Sequence, residues 1–302
     1  MRNRLVLFAL LLFYLGNAIG APKVVVTIKP LHGLVSAIMQ GVAEPALLLP
    51  DNASPHTFAL KPSNWQQLQK ATLIMWVGPS LELFMQAPLK EIKPQYGVIT
   101  LMEIPTLTLL PQRNSRQWQH AHEEDHEHAS HMIDPHFWLD TDNAVKVIDY
   151  VENYLSKIDN ENAIVYKKNA STLRDDIIKL KSTLNQKLQP VHDKPFLVYH
   201  DGYQYFEKEF NLNAVGTFIL NPHVPQSAKG LYEAKTLIHD KGVKCVFRET
   251  EFYDTNIERL LSEAGVKFTE LDPLGARVKA GPGAYQEILL NLAQNMQSCL
   301  AS

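Results

Sequence analysis

Long hydrophobic runs are nearly absent from this 302-residue chain. The one uninterrupted stretch, Leu5 to Leu15, falls short of the roughly 20 apolar residues that a bilayer span requires. With Arg2 and Arg4 before it and Ala18-Ile19-Gly20 after it, the stretch reads instead as a secretory signal cleaved near Gly20/Ala21. No cysteine stands just after it, which removes a lipid-anchoring site at this end, so stable membrane insertion is not expected. Positive charge is also in deficit. Beyond residue 20 the chain carries 27 basic against 32 acidic residues, because Arg2 and Arg4 are the only charges before that point. A net charge of about −5 argues against nucleic acid or an anionic membrane as partner. Cysteine is scarce: Cys245 and Cys299, 54 positions apart. An even count in an exported chain most simply forms a disulfide, here tying the last helix to a strand. Metal thiolates are the weaker reading, since neither cysteine has a neighbour spaced as a ligand.

Histidine, by contrast, is concentrated. Five of the twelve histidines, His120, His122, His126, His128 and His131, lie in one twelve-residue run with Glu123, Glu124, Asp125 and Glu127. No apolar side chain larger than alanine interrupts it, so it contributes no core face. Imidazole and carboxylate together are transition-metal ligands, imidazole favouring zinc, copper, nickel and iron over magnesium or calcium.

The rest of the chain alternates short β-branched runs with helical patterns. Strands are expected near 23–28, 46–49, 73–77 and 98–101, and again near 195–199, 214–217, 244–247 and 266–271. Helices are expected between them, including one near 255–263. Such alternation implies βαβ units and parallel sheets. Between the two sets, residues 142–188 read as helix, interrupted at Asn160-Glu161-Asn162. The stretch after the interruption spans roughly 40 Å at 1.5 Å per residue, which suits a rigid connector. The expected architecture is α/β: two lobes, each a parallel β-sheet flanked by helices, joined by a long connector helix. The boundaries are 1–20 for the signal peptide, 21–141 for the first lobe with its His-rich loop at 113–132, 142–189 for the connector and 190–302 for the second lobe.

Three histidines outside the run stand near strand ends or the lobe junction. His56 follows the second strand, His200 ends the first strand of the second lobe, and His136 precedes the connector. Asp272 follows the last strand in the same way. Ligands of open parallel sheets bind at the carboxyl ends of strands. A single histidine there is usually a surface or loop residue, and Asp272 before Pro273 is by itself a turn residue. Taken together, three imidazoles and a carboxylate at a mouth between two lobes make a four-ligand set suited to tetrahedral Zn2+.

Four stretches carry a family likeness: Ser54-Pro55-His56-Thr57-Phe58-Ala59-Leu60-Lys61-Pro62-Ser63, Asp134-Pro135-His136-Phe137-Trp138-Leu139, Tyr199-His200-Asp201-Gly202-Tyr203-Gln204-Tyr205-Phe206-Glu207 and Leu271-Asp272-Pro273-Leu274-Gly275. In order and spacing, over essentially the whole chain after the signal, they resemble the periplasmic zinc-binding components of bacterial zinc ABC importers, the ZnuA-like group of metal-binding solute receptors. The His-rich loop and the cysteine pair are also typical of that zinc-specific branch. The resemblance implies that His56, His136 and His200 are the primary zinc ligands. The fourth position varies in the family between a carboxylate and water, so Asp272 is the less secure ligand. Pro55 replaces the acidic residue that some relatives carry before the first histidine. The resemblance further implies a soluble, monomeric periplasmic receptor that captures Zn2+ and delivers it to the membrane permease of an ABC transporter.

Three alternatives remain, the first a surface adhesin, which is known among relatives of this fold but usually goes with the lipid anchor whose cysteine is missing here. Manganese-specific relatives usually place a carboxylate where His200 stands, and three imidazoles favour zinc over harder Mn2+. An exported zinc metalloenzyme needs an open coordination position and a nearby general base. Glu249, Glu251 or His223 could approach the ligands, but none stands beside them in sequence. No enzymatic activity is expected. The His-rich loop is expected to act as a weak secondary collector of metal ions, because ordering a flexible segment around one ion costs conformational entropy.

Overall fold

The structure is a computed structural model, and it describes residues 20–118, 132–219, 228–249, 257, 259 and 265–301. The signal region, the His120–His131 run, His223, Glu251 and the helix expected near 255–263 lie outside the described residues, save for positions 257 and 259 of that helix.

Two four-stranded sheets carry the fold. In the first, β1 (Val24–Val26), β2 (Ala46–Leu47), β3 (Leu73–Trp76) and β4 (Val98–Thr100) are ordered β2-β1-β3-β4. In the second, β5 (Phe196–His200), β6 (Ala214–Ile219), β7 (Cys245–Arg248) and β8 (Lys267–Glu270) are ordered β6-β5-β7-β8. Every pairing is parallel. The two orders are the same permutation, so each lobe repeats one βα winding. Such sheets need cover on both faces, and the strand sequences supply it by alternation. Val24 and Val26 point into the core shared by both lobes, whereas Val25 joins a smaller cluster with Leu68 and Met85. Phe196 and Val198 likewise face the shared core, and Leu197 and Tyr199 the outer cluster with Leu237 and Ile238.

The helices are α1 (Lys29–Met39), α2 (Pro62–Lys70), α3 (Gln86–Glu91), α4 (Thr141–Ile158), α5 (Ala163–Leu188), α6 (Gln204–Glu209), α7 (Ala228–Lys241) and α8 (Ala284–Leu300). Helix α5, of 26 residues, follows a 3-10 turn at Asn160–Asn162, where the sequence places the interruption. Its buried residues Tyr166, Ala170, Leu173, Ile177, Leu180, Leu184 and Leu188 recur every three or four positions and form one apolar stripe. That stripe packs against α1, α4 and α8. Besides bridging the lobes, α5 is therefore part of their common core. Helix α1 of the first lobe also meets α8 of the second closely: a Cβ at Gly33 would stand 3.0 Å from the Tyr285 backbone nitrogen.

Two links close the second lobe. Cys245 of β7 and Cys299 of α8 form the expected disulfide, with Cα atoms 6.0 Å apart. The segment before the His-rich run, which carries no strand pattern, crosses to the edge of β6. Trp118 N donates to Val215 O, Thr217 N donates to Arg116 O, and Gln117 bridges Gly216 in antiparallel fashion. A β-carbon at Gly216 would lie 2.2 Å from Arg116 O, so only glycine admits this crossing. The crossing covers an otherwise open strand edge.

Candidate metal centre

The carboxyl ends of β2, β5, β7 and β8, with the turn before α4, surround a small cavity. It is lined by Pro55, His56, His136, Trp138, His200, Glu249, Pro273 and Leu274. The free space, about 10 Å3, is enough for one water-sized particle and too little for an organic ligand.

His200 is the last residue of β5, a strand buried along its whole length, so the backbone ladder fixes its position. Its Nδ1 lies 2.7 and 2.6 Å from the two carboxylate oxygens of Glu249, the residue after β7. Gly202 turns the chain back immediately, and a Cβ there would come within 2.7 Å of the His200 ring. His136 sits in an Asp-Pro-His turn. Asp134 Oδ1 accepts from the His136 backbone nitrogen at 3.0 Å and pairs with its Nδ1 at 2.7 Å. Asp134 is itself held, its carbonyl accepting from Tyr205 Oη and its N–H donating to Leu110 O. The His136 ring packs against Trp138, whose indole N–H donates to Pro273 O. His56 belongs to the loop after β2 and is half-buried, with its N–H donating to Ser54 Oγ.

One ligand atom from each of His56, His136 and His200 lies within 4.8 Å of the others. The ring centroids are 5.2 to 5.5 Å apart. His136 Nε2 and His200 Nε2 are 3.4 Å apart. Two nitrogens bonded at about 2.05 Å to a tetrahedral zinc ion stand roughly 3.3 Å from each other, so this pair already has the spacing of ligands. A carboxylate on Nδ1 holds the proton there and leaves the Nε2 lone pair facing the cavity. The same arrangement pairs Glu249 with His200.

Asp272 stands outside the three-histidine group. Its Oδ1 accepts from Gly275 N at 2.7 Å and its Oδ2 from Arg277 N at 3.4 Å, shaping the turn that brings Pro273 and Leu274 to the cavity. A second acidic group, Asp140, Asp142 and Glu209, is joined by Lys181 through Asp142 and Glu209. The motif letters His-Glu-x-x-His do occur once, at His122-Glu123-Glu124-Asp125-His126, inside the run outside the described residues. The zinc-protease use of those letters requires a helix presenting both histidines on one face.

Beneath His200 lies a buried charge cluster. Arg113 pairs with Glu207 and, at 3.3 Å, with Asp201, and stacks at 3.7 Å on the Trp118 ring. Burial pushes the Asp201 carboxyl up to about 7, against the pull of Arg113, and Asp134 and Glu207 push it further the same way. Burial raises Glu207 as well, again opposed by Arg113. Sequence reasoning quoted Asp134 within its motif without giving it a role, and considered Glu249 only as a catalytic base. The legible signal for Asp134 was a carboxylate two residues before a histidine across a proline. For Glu249 there was none, because its partner is 49 positions away.

A family model described as zinc-uptake complex component A, periplasmic (ZnuA), matches residues 24–299. The high-affinity zinc uptake system protein ZnuA of Brucella suis is 33% identical to this chain, over 97% of it and 96% of that protein. The protein of the same name from Yersinia pestis is 30% identical over 93% and 92%. A solved structure described as ZnuA covers 93% of this chain and 99% of its own with a TM-score of 0.78, at 23% identity, and has the same fold.

Proposed function

The chain belongs to the ZnuA family, and on that premise we propose that it is a high-affinity extracytoplasmic receptor that captures Zn2+ through His56, His136 and His200 and hands it to the membrane permease of an ABC importer. The single observation that carries this reading is the convergence of three imidazoles from two lobes on a cavity sized for one ion. Two of them are backed by buried carboxylates, so two negative charges stand close behind an otherwise neutral ligand set. That arrangement supports a divalent cargo without an anionic ligand in direct contact, and imidazole donors favour zinc over manganese. The fourth position belongs to water or to a donor that arrives with the ion, and Asp272 shapes the wall instead. A site without a fourth protein ligand suits a cargo that must leave again.

The receptor works as a monomer in the periplasm after cleavage near Gly20/Ala21, and it is not an enzyme. Among the described residues no helix is long and apolar enough to cross a membrane. The His120–His131 run serves as a secondary, weaker collector. Zinc stoichiometry and affinity of the parent, a His56→Ala/His200→Ala variant and a variant lacking 120–131 test this. One tight site should survive the deletion and disappear in the double variant; the reverse pattern would refute the ligand assignment.

A further inference from the structure

Lys29 is an unusual residue for its place. It is the first residue of α1, where a cation meets the positive end of the helix dipole, and its side chain is only 4% exposed. Both features cost free energy, and three acceptors offset them. The ammonium donates to Gly275 O at 2.6 Å and to Val278 O at 2.8 Å, and pairs with Asp51 Oδ1 at 2.6 Å. These acceptors come from two loops on different lobes. Asp51 opens the loop that carries Pro55 and His56 to the cavity. Gly275 and Val278 close the turn that carries Pro273 and Leu274 to its opposite wall. Gly275 O already accepts from Val278 N, so the ammonium binds a turn that is preformed.

The geometry points to Lys29 as an interlobe latch: a positioning residue that holds the His56 loop against the Asp272–Val278 turn and so governs how long a captured metal ion is retained. The inference rests on the three-histidine reading given above. His136 and His200 have their orientation set by Asp134 and Glu249, whereas His56 rides on a half-buried loop. Its loop is the one that a charged clamp from outside can hold or release. When the lobes shift, Lys29 exchanges its carbonyl partners for water, and the two walls part together. An unbranched, uncharged methionine at position 29 keeps the packing of the stem and loses all three bonds.

The test is a double-mutant cycle on zinc retention, using the full chain after the signal. Zinc dissociation into excess chelator is followed for the parent, Lys29→Met, His56→Ala and the pair. Lys29→Met is expected to speed release about tenfold, and to add less than twofold once His56 is already alanine. A Lys29→Met rate within twofold of the parent overturns the latch. An equal acceleration in both backgrounds also overturns it, because the residue then acts on the whole fold and not through His56. If His56→Ala itself leaves release unchanged, the ligand assignment fails and the latch fails with it, a distinct outcome. Should Lys29→Met not fold, Asp51→Asn at the exposed partner carries the test. It is expected to speed release two- to threefold and to lower amide protection in 51–58, and no change in either refutes the inference.

Discussion

The two lobes share one winding and differ in what they place at the strand ends. In the first lobe the central strand β1 runs out into Thr27 and Lys29, and the cavity-lining histidine, His56, comes from a loop. In the second the equivalent strand β5 ends on His200 itself. The neighbouring strand shows the same divergence. After β3 comes Glu82, fully buried, whose carboxylate accepts from Val77 N at 2.6 Å and Gly78 N at 3.3 Å and so stabilises its own turn. After β7 comes Glu249, equally buried, whose carboxylate reaches across to His200. One lobe thus sets its buried carboxylate on backbone, and the other sets it on a cavity-lining imidazole. The histidine of the second lobe is thus held by a strand and a buried carboxylate, and that of the first by a loop.

The largest way to break the comparison is to unstaple the second lobe. Replacing Cys245 and Cys299 by serine should cost the protein about 3–4 kcal/mol in the chain-entropy view. Hydrogen exchange should rise more in β5 and β7 than in β1 and β3. Equal loosening of both sheets would mean that the disulfide serves the shared core and not the second lobe. Next comes the buried carboxylate of the first lobe. Burial pushes Glu82 up to about 7, so the folded chain holds a proton that the unfolded chain releases near 4.5. Its contribution to stability is then fully present below about pH 4.5 and lost as pH rises through 7. Urea unfolding at pH 5 and pH 8 should show Glu82→Gln gaining on the parent by on the order of 2 kcal/mol at the higher pH. A parallel pair of profiles would show that this carboxylate does not titrate. An effect of similar size, read in affinity and not in stability, belongs to the second lobe's counterpart. Glu249→Gln should weaken zinc binding roughly 10- to 100-fold, the usual cost of losing a carboxylate behind a ligating histidine. Asp272→Asn, as the matched control, should change affinity by less than about threefold, since it sits in the turn. If the two variants exchange these outcomes, Asp272 is the fourth ligand after all.

Much of the fold was legible because it rests on local pattern. β-branched runs at the right intervals, the break at Asn160–Asn162 and the three- and four-residue periodicity of α5 all follow from side-chain chemistry within a few positions. The three histidines were legible for the same reason, each standing at or near the end of a recognisable run. The crossing of Arg116–Trp118 onto β6 was not, because neither the edge it covers nor the need for glycine at 216 appears in the residues around it.

What the sequence determined by itself is the repertoire: two parallel sheets, a long helix between them, a disulfide, and imidazoles placed for a soft divalent ion. Tertiary structure alone decided the assignment of partners. Glu249 meets His200 across 49 positions, Lys29 meets Gly275 across 246, and Asp272 accepts from Gly275 N within its own turn. The reason is physical. Propensity and periodicity act over a few residues, whereas a buried charge takes whichever partner the completed fold brings within hydrogen-bonding distance, and that is set by packing.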